Sequence, residues 1–372
     1  MRASSINIIL NDRRVGYTFL ASGGALSSST PQSERAFMKQ ISTASPSQSL
    51  ASGCPFCGSE RLKPALLAED EFQGRFPMSA CCDCGTHFLS PMPTSGILAR
   101  AYATAYYGEG ETKFGGVVER LRDTASSGRA LSFARQLPTG GSVLDIGCGD
   151  GRLLRQLSKS GKKLDLHGIE LPGPAAKRAS SIPGVHLHLG ALDTVDFRPE
   201  TFDLITMVHV IEHLPLPGVA LEKIGRWLKP GGRLFLAFPN ISSWQARLFG
   251  PAWFHLDPPR HLTLVPPTSM IEVLAQAGFE SERIRHWCPE QNLYGWIQSV
   301  LNRFDPVRNL LYERLKRNRH YAPSRKLAVW WQLPLAGLMA PIALFVDVLA
   351  ASNRSGATVE LTSRKKTPAN VS

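Results

Sequence analysis

Short apolar runs recur through the middle of the chain, and polar or glycine-rich segments separate them. Each run has the length and composition of a strand buried on both faces of a parallel sheet. In chain order the runs and strand-like segments are 143–146, 166–169, 202–208, 234–236, 281–286 and 357–364. Leu153, Leu154 and Leu157 begin a helical period after the first run. Strands that alternate with helices predict an α/β fold with a doubly wound, mostly parallel sheet.

A glycine-rich turn follows the first apolar run. Gly147, Gly149 and Gly151 stand at alternate positions, two residues after Asp145. Glycine adopts positive φ and lets a ligand approach the backbone, so this strand, turn and helix predict a nucleotide-type crevice. The spacing differs from the dinucleotide fingerprint, and no Lys-Ser/Thr pair follows, which disfavours a phosphate ligand. The alternative is a purely structural turn between a strand and a helix.

With its neighbours, this turn resembles motif I of the class I S-adenosylmethionine (SAM) methyltransferases. Glu170, the segment 209–214, the Pro-Gly-Gly turn at 230–232 and the segment 277–279 follow in the family's order. The resemblance covers about 140–286. It implies a seven-stranded, Rossmann-like sheet with an antiparallel last strand, and a SAM-dependent methyltransferase activity.

The resemblance also implies which residues bind SAM. The set is Asp145, Gly147, Cys148, Gly149, Gly151, Glu170, Leu192, Asp193 and His209. Asp145 is expected to orient the methionine amino group, and Glu170 to accept hydrogen bonds from the two ribose hydroxyls. The chain departs from the family at Ala191, where an acidic residue usually meets the adenine. Either the Leu192 backbone and Asp193 take over this contact, or the contact is purely apolar.

Methylation of a hydroxyl group that is protonated at neutral pH requires a general base. The candidates are His209, Glu212, His213, His255 and His261. The segment 253–262 resembles the family's loop that covers the acceptor side, which favours His261 as the base, followed by His255. The alternative for each histidine is a structural hydrogen bond. Glu212 and His213 are expected to open a helix, where a glutamate suits the helix dipole.

Two C-x-x-C-G motifs lie near the start of the chain. Cys54 and Cys57 form the first pair, and Cys81 and Cys84 form the second. Four thiolates without an open position predict a structural Zn²⁺ site within a zinc ribbon. Cys82 is an alternative ligand, but Cys81 keeps the C-x-x-C spacing. The competing interpretation is free or redox-active cysteines, and the ribbon's role is either substrate presentation or scaffolding.

An apolar stretch of 25 residues, 327–351, follows a basic run at 303–326 that carries eight Lys and Arg. As a continuous helix the stretch would reach about 37 Å, enough to cross a bilayer. However, the strand at 357–364 is expected to return antiparallel beside the strand at 281–286, so an odd number of crossings is excluded. Two alternatives remain. One is a hairpin, broken by Pro334 and Pro341, that dips into the membrane interface, and the other is a helical pair buried as a lid or in a dimer.

Charge favours the membrane alternative. The chain has 42 Lys and Arg against 30 Asp and Glu, a net charge of +12. Basic residues beside an apolar anchor suit an anionic membrane surface. No aromatic-interleaved RNA motif accompanies the basic run, so nucleic acid is not expected as a partner.

The expected organisation combines these parts. A Ser- and Thr-rich disordered extension covers 1–50, since its short, broken apolar stretches fit a signal peptide poorly and Met38 is an alternative start. The other parts are a zinc ribbon at 51–92, a helical linker at 93–135, a SAM-binding core at 136–292, a basic and apolar helical insertion at 293–354, the last strand at 355–366 and a tail at 367–372.

Together these features predict a cytoplasmic methyltransferase, peripheral to the inner membrane, that methylates an oxygen or carbon of a small or lipid-linked acceptor. One alternative is a non-catalytic SAM-binding or scaffold protein. Another is an RNA or protein methyltransferase, although the Asn/Asp-Pro-Pro-Tyr/Phe signature of amine methylation is absent, since 209–212 reads His-Val-Ile-Glu. The oligomeric state stays open.

Overall fold

The structure, a computed structural model, describes residues 53–70, 73–102, 116–316 and 327–367. Five predicted segments therefore lie wholly or partly outside the described residues. They are the disordered extension, positions 51–52 and 71–72 of the zinc ribbon, the middle of the linker at 103–115, the end of the basic run at 317–326 and the tail from 368.

The strands of the described residues form two sheets. In chain order they are β1 (Leu62–Glu69), β2 (Arg75–Cys81), β3 (His87–Leu89), β4 (Ser142–Ile146), β5 (Asp165–Glu170), β6 (Val185–Leu189), β7 (Phe202–Val208), β8 (Leu228–Pro239), β9 (Thr263–Leu264), β10 (Phe279–Arg285) and β11 (Thr358–Lys365).

The helices of the described residues cover these sheets and form the insertion. They are α1 (Ser95–Ala101), α2 (Gly116–Gln136), α3 (Arg152–Ser158), α4 (Pro174–Ser180), α5 (Pro217–Trp227), α6 (Trp244–Phe249), α7 (Pro267–Gln276), α8 (Pro289–Phe304), α9 (Leu310–Leu315) and α10 (Ala328–Ser352). Single 3₁₀ turns lie at Ile211–His213, Gly250–Ala252 and Phe254–Leu256.

The larger sheet has the strand order β10-β11-β8-β7-β4-β5-β6. Strands β4 to β8 pair in parallel, and β11 runs antiparallel between β8 and β10. The predicted seven-stranded fold with an antiparallel last strand is therefore confirmed. The order reverses at β4, so the crevice at the carboxyl end of this strand is where open α/β sheets bind ligands.

Both faces of this sheet are covered, which explains the continuous apolar runs. Leu144 and Ile146 of β4 pack in one core cluster with Leu221 of α5. Val143, one residue away, packs in a second cluster with Leu154 of α3. Because successive side chains of a strand point to opposite faces, a strand between two helical layers needs apolar residues at every position.

The smaller sheet, β1-β2-β3-β9, joins the cysteine-rich segment to the rest of the protein. Strand β9 directly follows the segment 253–262, and Phe88 of β3 pairs with its Thr263. The backbone N–H of Leu89 donates to the carbonyl of Leu262 at 3.0 Å, and the Ser269 hydroxyl donates to the carbonyl of Cys84 at 2.6 Å. The ribbon is thus built into the same folded body as the larger sheet.

The apolar insertion differs from the predicted hairpin or helical pair. Helix α10 is continuous over 25 residues, with Pro334 and Pro341 inside it. Both prolines lie on the exposed side of the helix, where the carbonyls that they leave unpaired do not face the protein core. Among the described residues, α10 alone is long and apolar enough to cross a membrane.

Candidate functional site

The glycine loop after β4 needs glycine for two different reasons. Gly147, Gly149 and Gly151 have φ values of 66°, 58° and 72°. A Cβ on Gly147 would lie 2.4 Å from Val210 Cγ2, and one on Gly151 would lie 2.4 Å from Ile182 Cδ1. A Cβ on Gly149 would meet no protein atom within 4 Å. The first and last glycines therefore pack closely against the protein, whereas the middle one borders open space.

Glu170, at the end of β5, lies beside this loop. Its Oε2 accepts a hydrogen bond from the Gly149 N–H at 2.6 Å, and its Oε1 accepts one from the Leu171 N–H at 3.0 Å. Burial raises the pKa of this carboxyl, while the two N–H donors lower it. The adjacent Cys148 is buried with its Sγ against Gly168, where a Cβ would lie 2.8 Å from the sulfur. Gly168 is thus a structural requirement that the sequence motif did not indicate.

Asp145 lies beneath the loop and is 5% exposed. The Thr206 hydroxyl on β7 donates to its Oδ1 at 2.7 Å. Burial, with a smaller contribution from the neighbouring Glu170, raises the pKa of Asp145 to about 7, against the lowering effect of the Thr206 bond. Two buried carboxylates thus border the loop, and this environment favours a cationic or hydroxyl-bearing ligand over an anion.

The carboxyl end of β7 gathers the candidate acceptor-side residues around Glu212. The His209 Nδ1 lies 3.1 Å from Glu212 Oε1, and the His261 Nε2 lies 4.0 Å from the same oxygen. Burial would raise the pKa of Glu212, but the hydrogen bond with His209 and the nearby histidines bring it to about 2. Glu212 is therefore an ionised, buried carboxylate at neutral pH.

The expectation that Glu212 and His213 open a helix is therefore only partly right. They lie in a single 3₁₀ turn, and the next helix, α5, starts at Pro217. Glu212 is 2% exposed, with its side chain turned inward to His209. Its charge therefore interacts with histidines from two loops instead of the dipole of a helix.

The two favoured histidines have different environments. His261 Nδ1 lies 2.7 Å from the carbonyl oxygen of His255, which makes this nitrogen the donor and leaves Nε2 with the lone pair. His255 itself is buried, and burial lowers its pKa to about 3. A Cβ on Gly295 of α8 would lie 2.8 Å from its Nε2. The geometry therefore favours His261 over His255 as a residue that exchanges protons.

Hydrogen bonds and an ion pair around Arg260 stabilise the loop that carries His261. Arg260 forms a two-pronged ion pair with Asp257, and Arg260 holds the pKa of this buried carboxyl well below its usual range. His213 Nδ1 lies 2.9 Å from both the Arg260 carbonyl and the Tyr102 hydroxyl. Sequence reasoning missed Asp257, Arg260 and Tyr102 as parts of this site. Asp257 and Arg260 pair within a loop that has no periodic pattern, and the partner of Tyr102, His213, is distant in the chain.

The same stretch of chain matches a known family. Residues 118–284 match the model of the Methyltransf_23 family, which is described as a methyltransferase domain. This chain carries a class I SAM-dependent methyltransferase domain. The match includes the glycine loop, both buried carboxylates and the candidate acceptor-side histidines.

Curated relatives of the methyltransferase include the ubiquinone biosynthesis O-methyltransferase of Idiomarina loihiensis. It is 26% identical over 153 residues, which cover 38% of this chain and 62% of that protein. The protein of the same name from Xanthomonas axonopodis pv. citri is 29% identical over 198 residues, covering 52% of this chain and 74% of that protein.

Among solved structures, the SAM complex of Haemonchus contortus phosphoethanolamine N-methyltransferase 2 aligns with a TM-score of 0.41 and 20% identity. The alignment covers 64% of this chain and 52% of that chain. A similarity this low bears on neither fold nor function.

The two residues predicted for the adenine, Leu192 and Asp193, differ in burial. Leu192 is buried in the core, and Asp193 is exposed. The Lys223 ammonium donates to the carbonyls of both residues, at 3.0 and 3.2 Å. The remaining predicted SAM residues, from Asp145 to Glu170 with His209, lie at the carboxyl ends of neighbouring strands β4, β5 and β7.

Four cysteines form a second candidate site in the methyltransferase. The Sγ atoms of Cys54 and Cys84 lie 3.7 Å apart, as do those of Cys57 and Cys81. All four sulfurs lie within 4.8 Å of one another. A tetrahedral Zn²⁺ with bonds of about 2.3 Å places its sulfurs about 3.8 Å apart, so these residues fit the ion. Cys82 is exposed and lies outside the cluster.

Glu212, His213 and His261 also lie close enough to be tested as metal ligands. The His261 Nε2 and the Glu212 Oε1 lie 4.0 Å apart, whereas nitrogen and oxygen ligands of a tetrahedral zinc ion lie about 3.3 Å apart. His213 Nδ1 lies within hydrogen-bond distance of a carbonyl and a hydroxyl group, and Glu212 bonds to His209. We interpret this group as a hydrogen-bonded cluster.

A pair of glycine variants separates ligand contact from backbone strain. Gly149 and Gly161 both have positive φ, and neither has a protein atom within 4 Å of the added Cβ. Gly149→Ala and Gly161→Ala should therefore each cost about 1 kcal/mol of stability. Only Gly149→Ala should weaken SAM binding, by about tenfold or more, because its methyl group enters the space beside the loop. Calorimetry with SAM checks this, and equal affinity of the two variants would contradict it.

Proposed function

We propose that this methyltransferase transfers a methyl group from SAM to a hydroxyl oxygen of a small acceptor, with His261 as the general base. The observation that carries the proposal is the hydrogen bond from His261 Nδ1 to the His255 carbonyl at 2.7 Å. This bond selects the tautomer whose Nε2 accepts a proton. Oxygen as the methylated atom is also supported by relatives named ubiquinone biosynthesis O-methyltransferase.

The chain's own residues supply a proton acceptor and a counter-charge. When bound, SAM supplies an activated methyl group, which an acceptor oxygen takes by in-line displacement. His261 Nε2 takes the hydroxyl proton as the oxygen attacks. The Glu212 carboxylate, 4.0 Å from this nitrogen, stabilises the imidazolium that results. His209 keeps Glu212 oriented through its own bond at 3.1 Å.

We also propose the binding roles of the two buried carboxylates. Asp145 orients the methionine amino group through the glycine loop, since a buried carboxylate attracts an ammonium group strongly. Glu170 accepts hydrogen bonds from the ribose hydroxyls, and two backbone N–H groups, one to Oε1 and one to Oε2, orient its carboxylate. Gly147, Cys148, Gly149 and Gly151 let the backbone approach the cofactor, and the adenine contact around Leu192 is apolar.

The affinity for SAM should depend on pH. The pKa of Asp145 is raised to about 7, so this carboxyl is increasingly protonated, and neutral, as the pH falls below this value. The ammonium group of SAM favours the ionised form. Affinity should thus fall on acidification from about pH 8 to about pH 6, with a limiting slope of about tenfold per pH unit for one proton.

Calorimetry at several pH values measures this dependence. Asp145→Asn should bind SAM more weakly at pH 8 and show a shallower slope, because the titrating carboxyl is gone. Glu170, whose pKa is also raised by burial, accounts for any slope that remains. An affinity that is constant over this pH range in the unsubstituted protein would contradict the assignment of Asp145.

Two further features complete the proposal. The four cysteines hold a structural Zn²⁺, which the tetrahedral spacing of their sulfurs supports. The enzyme works in the cytoplasm at an anionic membrane surface, on a small acceptor that is apolar or lipid-linked. Support for the membrane is the apolar helix α10 and the net charge of +12.

The experiment that tests the proposed reaction compares metabolites. Extracts of cells with and without the gene are compared for pairs of compounds that differ by one methylene unit, and the purified protein is then given SAM and the unmethylated member. We expect an O-methyl product and S-adenosylhomocysteine in equal amounts. Absence of SAM binding by calorimetry would reject the enzyme, and a methylated carbon or nitrogen would reject the role of oxygen.

A further inference from the structure

Helix α10 presents an apolar face to the outside of the protein. Trp330 is 77% exposed, Leu338 is 74% exposed, and Ile342 and Phe345 are each 65% exposed. Other exposed apolar side chains on or beside the helix are Leu327, Trp331, Leu333, Leu344, Val348 and Leu349. No charged side chain interrupts this face, because the one acidic residue of the helix, Asp347, is fully buried. Soluble monomers rarely expose so many neighbouring apolar side chains on one helix.

The two polar side chains before the last turn of α10, Gln332 and Asp347, point the other way. Gln332 is fully buried, and its amide donates to Asp305 Oδ2 at 3.0 Å. Asp347 is also turned against the protein, fifteen positions further along the helix. A helix between a protein core and water has its polar residues outside. The reversed arrangement in α10 is the one expected where hydrocarbon, and not water, lies on the outer side.

The helix is attached to the protein along its whole length. Ala328 packs against Leu310 near its start, and Ala343 packs with Trp296 of α8 in its middle. Just after its end the backbone N–H of Trp244, in α6, donates to the Ser355 carbonyl at 3.2 Å. The chain then enters the large sheet at Thr358. Lipid cannot surround such a helix, so it can lie along a bilayer surface but cannot cross the bilayer.

Charge distinguishes a bilayer from a second copy of the chain. Arg303, at the end of α8, and Arg354, just after α10, are exposed. The segment before α10 adds Arg317, Arg319, Arg325 and Lys326 to the sequence. Two copies of the chain would each carry a net charge of +12, which opposes their pairing, whereas the same charge attracts each copy to an anionic headgroup layer. Trp330 and Trp331 add side chains that favour the membrane–water interface.

We propose that the exposed face of α10 docks into one leaflet of an anionic bilayer, with the helix axis parallel to the membrane plane. The docked helix also sets where an acceptor enters. Helix α8 packs against α10 and, through Gly295, against His255. The acceptor side thus lies one helix away from the membrane-facing helix. The docking rests on the proposed membrane location, and delivery of a lipid-linked acceptor to His261 rests also on the proposed methyl transfer.

Vesicle sedimentation with the full chain tests the docking. The probes are sucrose-loaded vesicles of phosphatidylglycerol and phosphatidylcholine in equal amounts, and vesicles of phosphatidylcholine alone. We expect binding to the anionic vesicles, weakened by salt. The triple variant Leu338→Glu, Ile342→Glu, Phe345→Glu should lower the bound fraction about tenfold or more. A matched control places glutamate at Leu131, Leu189 and Val219, which are 53%, 57% and 59% exposed outside α10, and should bind as the unsubstituted protein does.

Three outcomes would overturn the proposal. If neither vesicle binds the unsubstituted protein, the docking is wrong. If the α10 variant converts a dimer into a monomer in light scattering and vesicle binding is unchanged, a second copy covers the face. Resistance to alkaline carbonate extraction would indicate a membrane span. SAM calorimetry on both variants confirms folding. Sedimentation uses no acceptor, so docking without methyl transfer would reject only the proposed methyl transfer.

Discussion

His261→Ala should lower methyl transfer by about a hundredfold to ten-thousandfold while SAM affinity stays unchanged. The side chain removed is the proposed proton acceptor, whose Nδ1 is held by the His255 carbonyl at 2.7 Å. The residues proposed to bind SAM lie on other segments, at the ends of β4 and β5. Single-turnover rates measure the loss, and calorimetry measures SAM affinity.

Two further measurements separate a base from a structural histidine. Imidazole added to His261→Ala should restore part of the rate, because it replaces a lost proton acceptor, whereas it would not repair a displaced loop. His186→Ala is the matched control, since this histidine has a 65% exposed side chain on β6, outside the acceptor-side cluster, and its loss should not affect the rate. Undiminished turnover in His261→Ala would end the assignment.

Cys81→Ser should remove the metal from the ribbon and lower the melting temperature by about 10 °C or more. A structural zinc ion contributes about 10 kcal/mol or more to the folding of a small domain, and the loss of a few kcal/mol already shifts the melting temperature by several degrees. The matched control is the neighbouring residue. Cys82→Ser changes an exposed thiol outside the cluster and should leave metal content and melting temperature unchanged.

The same substitution should affect turnover more than SAM binding. Strand β3 of the ribbon pairs with Thr263 and Leu264 of β9, which begin two residues after His261. The ribbon thus holds the segment that carries the proposed base, while the glycine loop lies in the other sheet. Elemental analysis and thermal unfolding measure the first effect, and turnover and calorimetry measure the second. A Cys81→Ser protein with full metal content would contradict the four-cysteine site.

The strands of the large sheet could be predicted because their cause is local. A buried strand needs apolar residues at consecutive positions, so the run at 202–208 matches β7, and the run at 143–146 lies within β4. The Pro-Gly-Gly segment at 230–232 was less accurate as a boundary. Strand β8 begins before it, at Leu228, and the register with β7 shifts across it, which depends on the neighbouring strand.

The candidate site could be predicted only in part. The glycine spacing predicted the loop, because positive φ at alternate positions requires glycine there whatever surrounds it. The partners of the loop could not be predicted, since Thr206 reaches Asp145 only because β7 lies beside β4. Sequence reasoning likewise gave Glu212 a role at a helix terminus, because nothing local indicates that its side chain turns inward toward His209.

The sequence by itself determined the sheet, the glycine loop, the cysteine cluster and the methyltransferase family, because each depends on short-range spacing that a few residues encode. Only the tertiary structure decided that α10 is one continuous helix, that its Gln332 and Asp347 face the protein, and that the ribbon extends to the segment after His261. These features depend on packing between segments that are far apart in the chain. Hydropathy alone shows that a segment is apolar, but which side of a helix is covered depends on the body against which it packs.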